Sequence, residues 1–176
     1  LVEYLNEKKI QKNVAVAWPE DEHTREAVEM AGKNGFLKPI LVGSKQTQEK
    51  YEGQFETILA DDPADASAKA VELVRNGRTQ VLMKGFVNTD VLLRAVLNKE
   101  TGILPKGRIL THVTAAKIST YHKLLFFTDP AVIPYPTQEQ RMAQIEYIAD
   151  MCHKFHIPQP KISLIHCTEK VDERHF

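Results

Sequence analysis

The sequence predicts an α/β fold, built on a mostly parallel sheet with flanking helices. Short apolar runs such as Asn13–Trp18 and Val81–Met83 are separated by segments with helical periodicity. This alternation is the pattern of βαβ units. The runs are continuously apolar rather than alternating, which is typical of parallel strands covered on both faces.

The strands and helices are predicted in a regular order along the first part of the chain. Each apolar run ends at a turn residue, and an amphipathic stretch then follows. A short helix is also predicted around Leu1, Tyr4 and Leu5. The predicted strands are Asn13–Trp18, Pro39–Val42, Glu56–Ala60 and Val81–Met83, and the helices between and after them begin at Glu20, Thr47, Asp62 and Asn88.

Two helices have an apolar stripe that predicts which face is buried. The first follows Asp62-Pro63, where proline suits the first helical turn. The second runs from Gln138 to Phe155. The buried faces are predicted to be Ala64, Ala68, Val71 and Val74 in the first helix, and Met142, Ile145, Ala149, Cys152 and Phe155 in the second.

A domain boundary is predicted in the stretch Gly102–Gly107, which contains Pro105. This boundary divides the chain into a first α/β domain, residues 1–107, and the beginning of a second, residues 108–176. Glycine and proline interrupt both helices and strands, so they often mark such connections.

The segment after the boundary has a different strand pattern. Ile109–Ile118 and Lys123–Thr128 are strand-like runs with four residues between them, which is the spacing of an antiparallel hairpin. Lys161–His166 is predicted to be one more strand. The second sheet is therefore expected to be incomplete within this chain.

The composition limits the classes of partner. Lys+Arg and Asp+Glu are both 23, so the formal net charge of +0 gives no support for a nucleic-acid-binding face. No apolar run approaches membrane length. The two cysteines, Cys152 and Cys167, lack disulfide-like spacing and favour a reducing cytoplasm. The chain opens on Leu1 rather than Met, so we expect residues to be missing before it.

The segment from Lys84 to Arg94 predicts an anion site. A strand meets Lys84-Gly85, and Asn88-Thr89 then precede a helix. The free N–H groups of a first helical turn attract phosphate or carboxylate, and Lys84 and Arg94 add full positive charge. Other interpretations stay open: Asn88 and Thr89 as simple caps, Lys84 as a solvated strand end, and Arg94 as a surface residue covering apolar neighbours.

A metal site is not predicted. Cys152, His153 and His156 lie close in sequence, and two histidines three apart can share a helix face. However, Cys152 fits the apolar stripe of its helix. The sequence also has neither a Gly-x-Gly-x-x-Gly fingerprint nor a Walker loop, which disfavours dinucleotide redox chemistry and nucleotide hydrolysis.

Five segments together resemble the phosphate acetyltransferase and phosphate butyryltransferase family. The resemblance spans residues 12–172, and the butyryl branch is closer because it has the same Met-Lys-Gly loop and the same following helix. The five segments are Leu82–Thr89, Leu93–Glu100, Leu110–Val113, Leu124–Asp129 and Pro160–Leu164.

This resemblance implies transfer of a short acyl group between coenzyme A and inorganic phosphate. It implies a two-domain α/β architecture similar to that of isocitrate dehydrogenases, with CoA as a substrate rather than a tightly bound cofactor, no metal, and a homodimer or larger assembly. The family's Ser-Arg motif and downstream Asp, which carry the catalytic base, have no counterpart here. The base is therefore expected in a C-terminal part that this chain lacks.

The resemblance also suggests roles for individual residues. Arg94 stands where the family carries a substrate-contacting arginine, and Asp129 follows a strand at a turn that faces the family's cleft. Asp129 has a simpler interpretation, as a turn residue before Pro130. Two rival functions are a non-catalytic module that binds CoA or acyl phosphate, and a dehydrogenase of similar fold.

Overall fold

The computed structural model describes residues 7–165. The chain divides into two compact units at the Pro105–Lys106 peptide. The helix predicted around Leu1–Leu5 and the last residue of the predicted strand Lys161–His166 lie outside the described residues.

The first unit contains a parallel sheet of four strands in the order β3-β2-β1-β4. Val14, Ala15, Val16 and Ala17 of the central strand β1 are at most 1% exposed, because both sheet faces are covered. The predicted α/β fold with a mostly parallel sheet is thereby confirmed. The strands are β1 Lys12–Ala17, β2 Leu37–Gly43, β3 Glu56–Leu59 and β4 Val81–Lys84.

In the described part of this unit, four helices connect or follow the strands, and they pack on both faces of the sheet. Successive residues of a strand point to opposite faces. Ala15 and Ala17 therefore pack with the third and fourth helices, while Val14 and Val16 pack with Val28 of the first. The helices are α1 Glu22–Lys33, α2 Lys45–Lys50, α3 Pro63–Arg75 and α4 Thr89–Leu97.

The predicted buried face of α3 is partly wrong. Ala64 and Ala68 are exposed, whereas Val71 is buried as predicted. Alanine occurs all around this helix, so apolar periodicity alone does not define one face. Lys69 forms an ion pair with Asp65 on the more accessible side, 2.6 Å from Nζ to Oδ2. The residues that face the sheet are Ala66, Ser67, Ala70, Val71 and Leu73.

The second unit contains an antiparallel hairpin and one long helix. Strands β5 (Val113–Lys117) and β6 (Leu124–Thr128) pair from Val113↔Thr128 to Lys117↔Leu124, as the spacing of the two runs predicts. Helix α5 (Gln138–Lys154) begins with a capping box formed by Thr137 and Gln140. The ring of Phe126 on β6 meets Phe155 edge-on, with centroids 5.2 Å apart.

The predicted stripe of α5 is partly wrong. Met142 is 54% exposed and Phe155 is 38% exposed, while Ile145 and Ala149 are only half-buried. The buried face includes Gln144, whose side-chain amide donates to the Thr111 hydroxyl at 3.3 Å. A polar residue with a buried partner is invisible to apolar periodicity. The buried residues of α5 are Gln144, Ile148 and Cys152.

The prediction of a strand at Lys161–His166 is wrong for the part that the structure describes. Residues 161–165 form no strand, and Leu164 and Ile165 are 74% and 92% exposed. A strand needs a neighbour to satisfy its backbone groups. Within residues 7–165, β5 and β6 pair only with each other.

Among the helices between residues 7 and 165, none has the length and apolar character needed to cross a bilayer.

Candidate functional site

The carboxyl edge of the parallel sheet holds most of the predicted site residues. Parallel strands all end at the same edge, which is where open α/β sheets place their ligands. Strand β4 ends at Lys84, and the Lys84–Asn88 loop leads directly into α4. The loop therefore brings together Lys84, Gly85, Asn88 and Thr89.

The Lys84–Asn88 loop rests on the backbone at the end of β1. The Gly85 N–H donates to the Ala17 carbonyl at 2.9 Å, and the Phe86 N–H donates to the Trp18 carbonyl at 2.7 Å. A Cβ added to Gly85 would lie 2.6 Å from both of these carbonyl oxygens. Only glycine fits this close approach. The backbone that approaches Gly85 closely is therefore the end of β1.

The side chain of Lys84 forms hydrogen bonds within the Lys84–Asn88 loop. Its ammonium donates to the Val87 carbonyl at 2.8 Å and lies 3.4 Å from the Gly85 carbonyl. Lys84 is nevertheless an exposed residue. Its positive charge is therefore held at the loop while remaining accessible to an anion, which differs from a freely solvated strand end.

Asn88 occupies the N-cap position of α4, but its side chain makes no capping hydrogen bond with the described residues. The other four helices described above have side-chain caps, for example Asp21 for α1 and Asp62 for α3. Capping therefore does not account for the Asn88 side chain. Exposed Thr89 follows it at the first helical position. Apart from the Val91 N–H, which donates to the Asn88 carbonyl at 3.0 Å, the first turn of α4 therefore presents its N–H groups without a side-chain partner at the N-cap.

Arg94 lies farther along α4 on the solvent side. Its side chain is 82% exposed, and its guanidinium donates to the Asp90 carboxylate at 3.1 Å. Because exposed ion pairs one helical turn apart are weak, Asp90 contributes little to holding this guanidinium in place. The role of Arg94 in substrate binding stays a prediction.

Asp129 belongs to the second unit and follows β6. Its Oδ2 accepts from the Thr111 hydroxyl at 2.6 Å and the His112 N–H at 3.2 Å, and its Oδ1 accepts from the N–H groups of Ala131 and Val132 at 2.9 and 2.7 Å. Burial alone would raise the pKa of Asp129, but these four donors outweigh burial and lower it to about 2. Asp129 is thus an ionised organiser of its own turn, and its role toward substrate stays a prediction.

Thr111 connects this turn to the rest of the second unit. Its hydroxyl lies 3.2 Å from that of Thr128 and accepts from Gln144 of α5. Neither Thr111 nor Gln144 was predicted from the sequence to be a site residue. The sequence feature that could have indicated Gln144 is the occurrence of a glutamine among the apolar residues of an amphipathic helix.

The histidines do not converge with other metal ligands in the part of the chain that the structure describes, where no group of three His, Cys, Asp or Glu residues lies within reach of one ion. His153 and His156 are both exposed near the end of α5. Cys152 is buried and forms no disulfide with any residue that the structure describes, and burial raises its pKa.

The described residues form a parallel α/β unit with a candidate anion site at the carboxyl edge of its sheet, together with a second unit built on a hairpin and a helix. The chain belongs to the phosphate acetyl/butaryl transferase family, whose sequence model matches residues 49–175. This match confirms the family resemblance.

Individual relatives agree with the family assignment. The chain is 36% identical over 168 residues to a phosphate butyryltransferase of Clostridium beijerinckii, covering 92% of this chain and 55% of that protein. It is 35% identical over 173 residues to a phosphate butyryltransferase of Clostridium acetobutylicum, covering 94% and 57%. The chain thus spans about half the length of these relatives.

A solved structure supports the fold as well. A branched-chain phosphotransacylase from Enterococcus faecalis V583 superimposes with a TM-score of 0.78 at 25% identity. The superposition covers 93% of this chain and 59% of that protein.

Proposed function

We propose that the whole protein is a phosphate acyltransferase, which moves a short acyl group between coenzyme A and inorganic phosphate to form an acyl phosphate. The family match over residues 49–175 supports this proposal. The names of the relatives, phosphate butyryltransferase and branched-chain phosphotransacylase, support butyryl or branched acyl chains, and the name of the family adds acetyl.

The strongest structural support for this proposal is the first turn of α4, which has no side-chain cap and lies beside Lys84. The Asn88 side chain leaves the first-turn N–H groups without a cap, and Lys84 holds a positive charge on the preceding loop. Phosphate oxygens accept hydrogen bonds from such N–H groups, and the helix dipole favours their charge. The loop is therefore suited to hold phosphate, or the carbonyl oxygen of the thioester as it becomes negative.

In the proposed reaction, a phosphate oxygen attacks the carbonyl carbon of the acyl thioester. A carbon–oxygen bond forms, the carbon–sulfur bond breaks, and the sulfur leaves with the bonding electrons and takes up a proton. No covalent enzyme intermediate is required. Lys84 and the start of α4 hold the anion, and Arg94 adds a planar donor that matches two phosphate oxygens. For Asp129, in the second unit, a role in orienting substrate rests on the family resemblance alone. The base that moves the proton is predicted to lie outside this chain.

The proposal also covers the domain organisation, cofactor use, cellular location and oligomeric state of the protein. The two units would belong to two α/β domains, residues 1–107 and 108–176, which is close to the division at Pro105–Lys106. CoA would act as a substrate without a metal or a tightly bound cofactor. Cys152 forms no disulfide within residues 7–165, which supports a cytoplasmic location, and the formal net charge of +0 fits small-molecule partners better than nucleic acid. Half-exposed Leu124 and Phe127 of β6 support a homodimer or larger assembly.

The direct test is the release of CoA thiol from butyryl-CoA by the whole protein, with and without phosphate. The proposal predicts release that requires phosphate and saturates with it, and that sulfate cannot support. Release independent of phosphate, or no release at all, would contradict it. Binding of butyryl-CoA without turnover would favour the rival interpretation of a non-catalytic binding module.

Arg94→Ala tests the role given to that residue. Because its guanidinium forms an ion pair only with exposed Asp90 in the described residues, its loss should leave the fold intact. We expect about tenfold weaker use of phosphate, as for loss of one charged bidentate contact. An unchanged phosphate dependence would remove Arg94 from the site.

A further inference from the structure

A short turn after β1, formed by Trp18, Pro19 and Glu20, supports the Lys84–Asn88 loop. Trp18 has a φ of 56°, a left-handed conformation uncommon for a large residue. Its carbonyl accepts from the Phe86 N–H at 2.7 Å and from the Glu20 N–H at 2.9 Å. The position of the Lys84–Asn88 loop therefore depends on how this turn is held.

Glu20 holds the Trp18–Glu20 turn against the start of α2. Its Oε1 accepts from the Ser44 N–H at 3.0 Å and from the Thr47 hydroxyl at 2.7 Å. Thr47 is fully buried, and a Cβ on Gly43 would lie 3.0 Å from the same carboxylate oxygen. The carboxylate thus occupies a tight polar position between the ends of β1 and β2.

Arg25 secures the same turn from α1. Its NH2 group donates to Glu20 Oε2 at 3.0 Å, and its Nε donates to the Pro19 carbonyl at 2.9 Å. The two side chains are only 18% and 15% exposed, so this ion pair is shielded from solvent. Burial would raise the pKa of Glu20, but its Ser44 and Thr47 hydrogen bonds and the Arg25 charge outweigh burial and lower it. The carboxylate is therefore ionised at neutral pH.

We propose that Glu20 is a positioning residue of the phosphate site, which fixes the Trp18–Glu20 turn so that the Lys84–Asn88 loop and the start of α4 are correctly placed. This inference rests on the proposed phosphate acyltransferase function. Glu20 would touch no substrate, and its effect would pass through the Trp18 carbonyl to the Phe86 N–H.

Removing the carboxylate would leave three donors without their acceptor: the Ser44 N–H, the Thr47 hydroxyl and the Arg25 guanidinium. Unpaired buried groups are costly, so the turn should move to recover partners or water. Because the Lys84–Asn88 loop hydrogen-bonds to this turn, it should move as well. Small displacements of binding groups have large effects on reactions that depend on positioning.

Kinetics of the whole protein separate positioning from a purely structural role. Glu20→Ala should raise the KM for phosphate about tenfold with a smaller change in kcat. Glu20→Gln keeps an oxygen that can accept from Ser44 and Thr47, so it should restore that KM to within about threefold of the original. A merely structural role would lower the active fraction, and hence kcat, without changing KM.

Glu29→Gln provides a matched control in the same unit. Glu29 accepts from the buried Tyr51 hydroxyl at 3.0 Å, so this change also weakens a side-chain hydrogen bond between elements. Within the described residues, Glu29 forms no hydrogen bond or ion pair with the Trp18–Glu20 turn. Its KM for phosphate should equal that of the unchanged protein. An equal rise in KM for Glu29→Gln and Glu20→Ala would overturn the proposal.

Hydrogen exchange of the Gly85 and Phe86 amides tests the positioning without any turnover. Both amides donate to the end of β1, and Glu20→Ala should accelerate their exchange about tenfold or more relative to Glu29→Gln. Should Glu20→Ala fail to fold, Glu20→Asp keeps the charge but withdraws it from Ser44, and the same acceleration is expected. Unchanged exchange would overturn the positioning role. Absence of phosphate-dependent thiol release from the unchanged protein would instead overturn the proposed function.

Discussion

The backbone N–H of Phe86 donates a 2.7 Å hydrogen bond to the carbonyl of Trp18, joining the ends of strands β4 and β1 at the carboxyl edge of the sheet. One residue earlier, Gly85 donates to the Ala17 carbonyl in the same way. These two bonds set the path of the loop that carries Lys84 into α4. Because Trp18 is the only tryptophan of the chain, its fluorescence reports directly on this junction.

Gly85→Ala should disrupt the junction. The new methyl group would lie 2.6 Å from two carbonyl oxygens, so either the Lys84–Asn88 loop or the end of β1 must move. We expect a loss of about 3 kcal/mol in the free energy of unfolding, measured by urea titration with Trp18 fluorescence. Gly35→Ala is a useful comparison, since Gly35 has φ +77° but open space, and should cost about 1 kcal/mol. Equal losses for the two variants would contradict the steric argument.

Asn88→Ala should change stability little, because the Asn88 side chain makes no capping bond with the described residues. Asp62→Ala should cost about 1 kcal/mol, since Asp62 accepts from the N–H groups of Ala64 and Asp65. Urea titrations of the two variants measure the difference. A loss for Asn88→Ala as large as that for Asp62→Ala would show that Asn88 serves as a cap.

Because of Asp129, the stability of the second unit should depend on pH in the acidic range. Its folded pKa of about 2 lies below the usual 3.8, so the carboxylate contributes stability above the unfolded value. That contribution is lost as the pH falls from about 4 through about 2, and it amounts to about 2 kcal/mol. Asp129→Asn should lower stability at neutral pH, and the difference should shrink in acid when urea unfolding is followed by circular dichroism.

The matched control for that experiment is Asp150→Asn, at an exposed position of α5. It should shift the urea midpoint little at any pH. A difference between the unchanged protein and Asp129→Asn that stays constant from neutral pH to about pH 2 would contradict the pKa assigned to Asp129.

Thr79→Val should stabilise the first unit. The Thr79 hydroxyl is buried and has no hydrogen-bond partner in the described part of the chain. Replacing it by a methyl group removes the desolvation penalty, worth about 1 kcal/mol in the unfolding free energy. Ser67→Ala should act in the opposite direction, because the Ser67 hydroxyl donates to the Pro63 carbonyl at 2.7 Å. Destabilisation by Thr79→Val would point to a bound water at that hydroxyl.

Local patterns predicted the elements of this fold well. Continuous apolar runs such as Val14–Ala17 are buried strands because both faces of a parallel sheet are covered, and the hairpin followed from its short spacing. The buried faces of the helices were harder to predict. In α3 alanines lie on all sides, and in α5 Gln144 is buried through a hydrogen bond to Thr111, a residue distant in sequence.

The candidate site also has a part that could be predicted from the sequence and a part that could not. Lys84, Gly85, Asn88 and Thr89 were predicted because they lie close together in sequence at a strand–helix junction, and the structure places them in one loop and helix start. The support from Glu20 could not be predicted. Its partners Ser44 and Thr47 lie on another strand–helix connection, and only the pairing of β1 with β2 brings them together. The functional roles of all these residues remain predictions.

We have proposed that the Lys84–Asn88 loop and the start of α4 bind phosphate. We would titrate inorganic phosphate into the isotopically labelled protein and follow its backbone amides by NMR. We expect saturable shifts concentrated at residues 85–90, abolished by Lys84→Met and retained in Glu29→Gln. Shifts that are absent from this segment, or that persist unchanged in Lys84→Met, would contradict the claim.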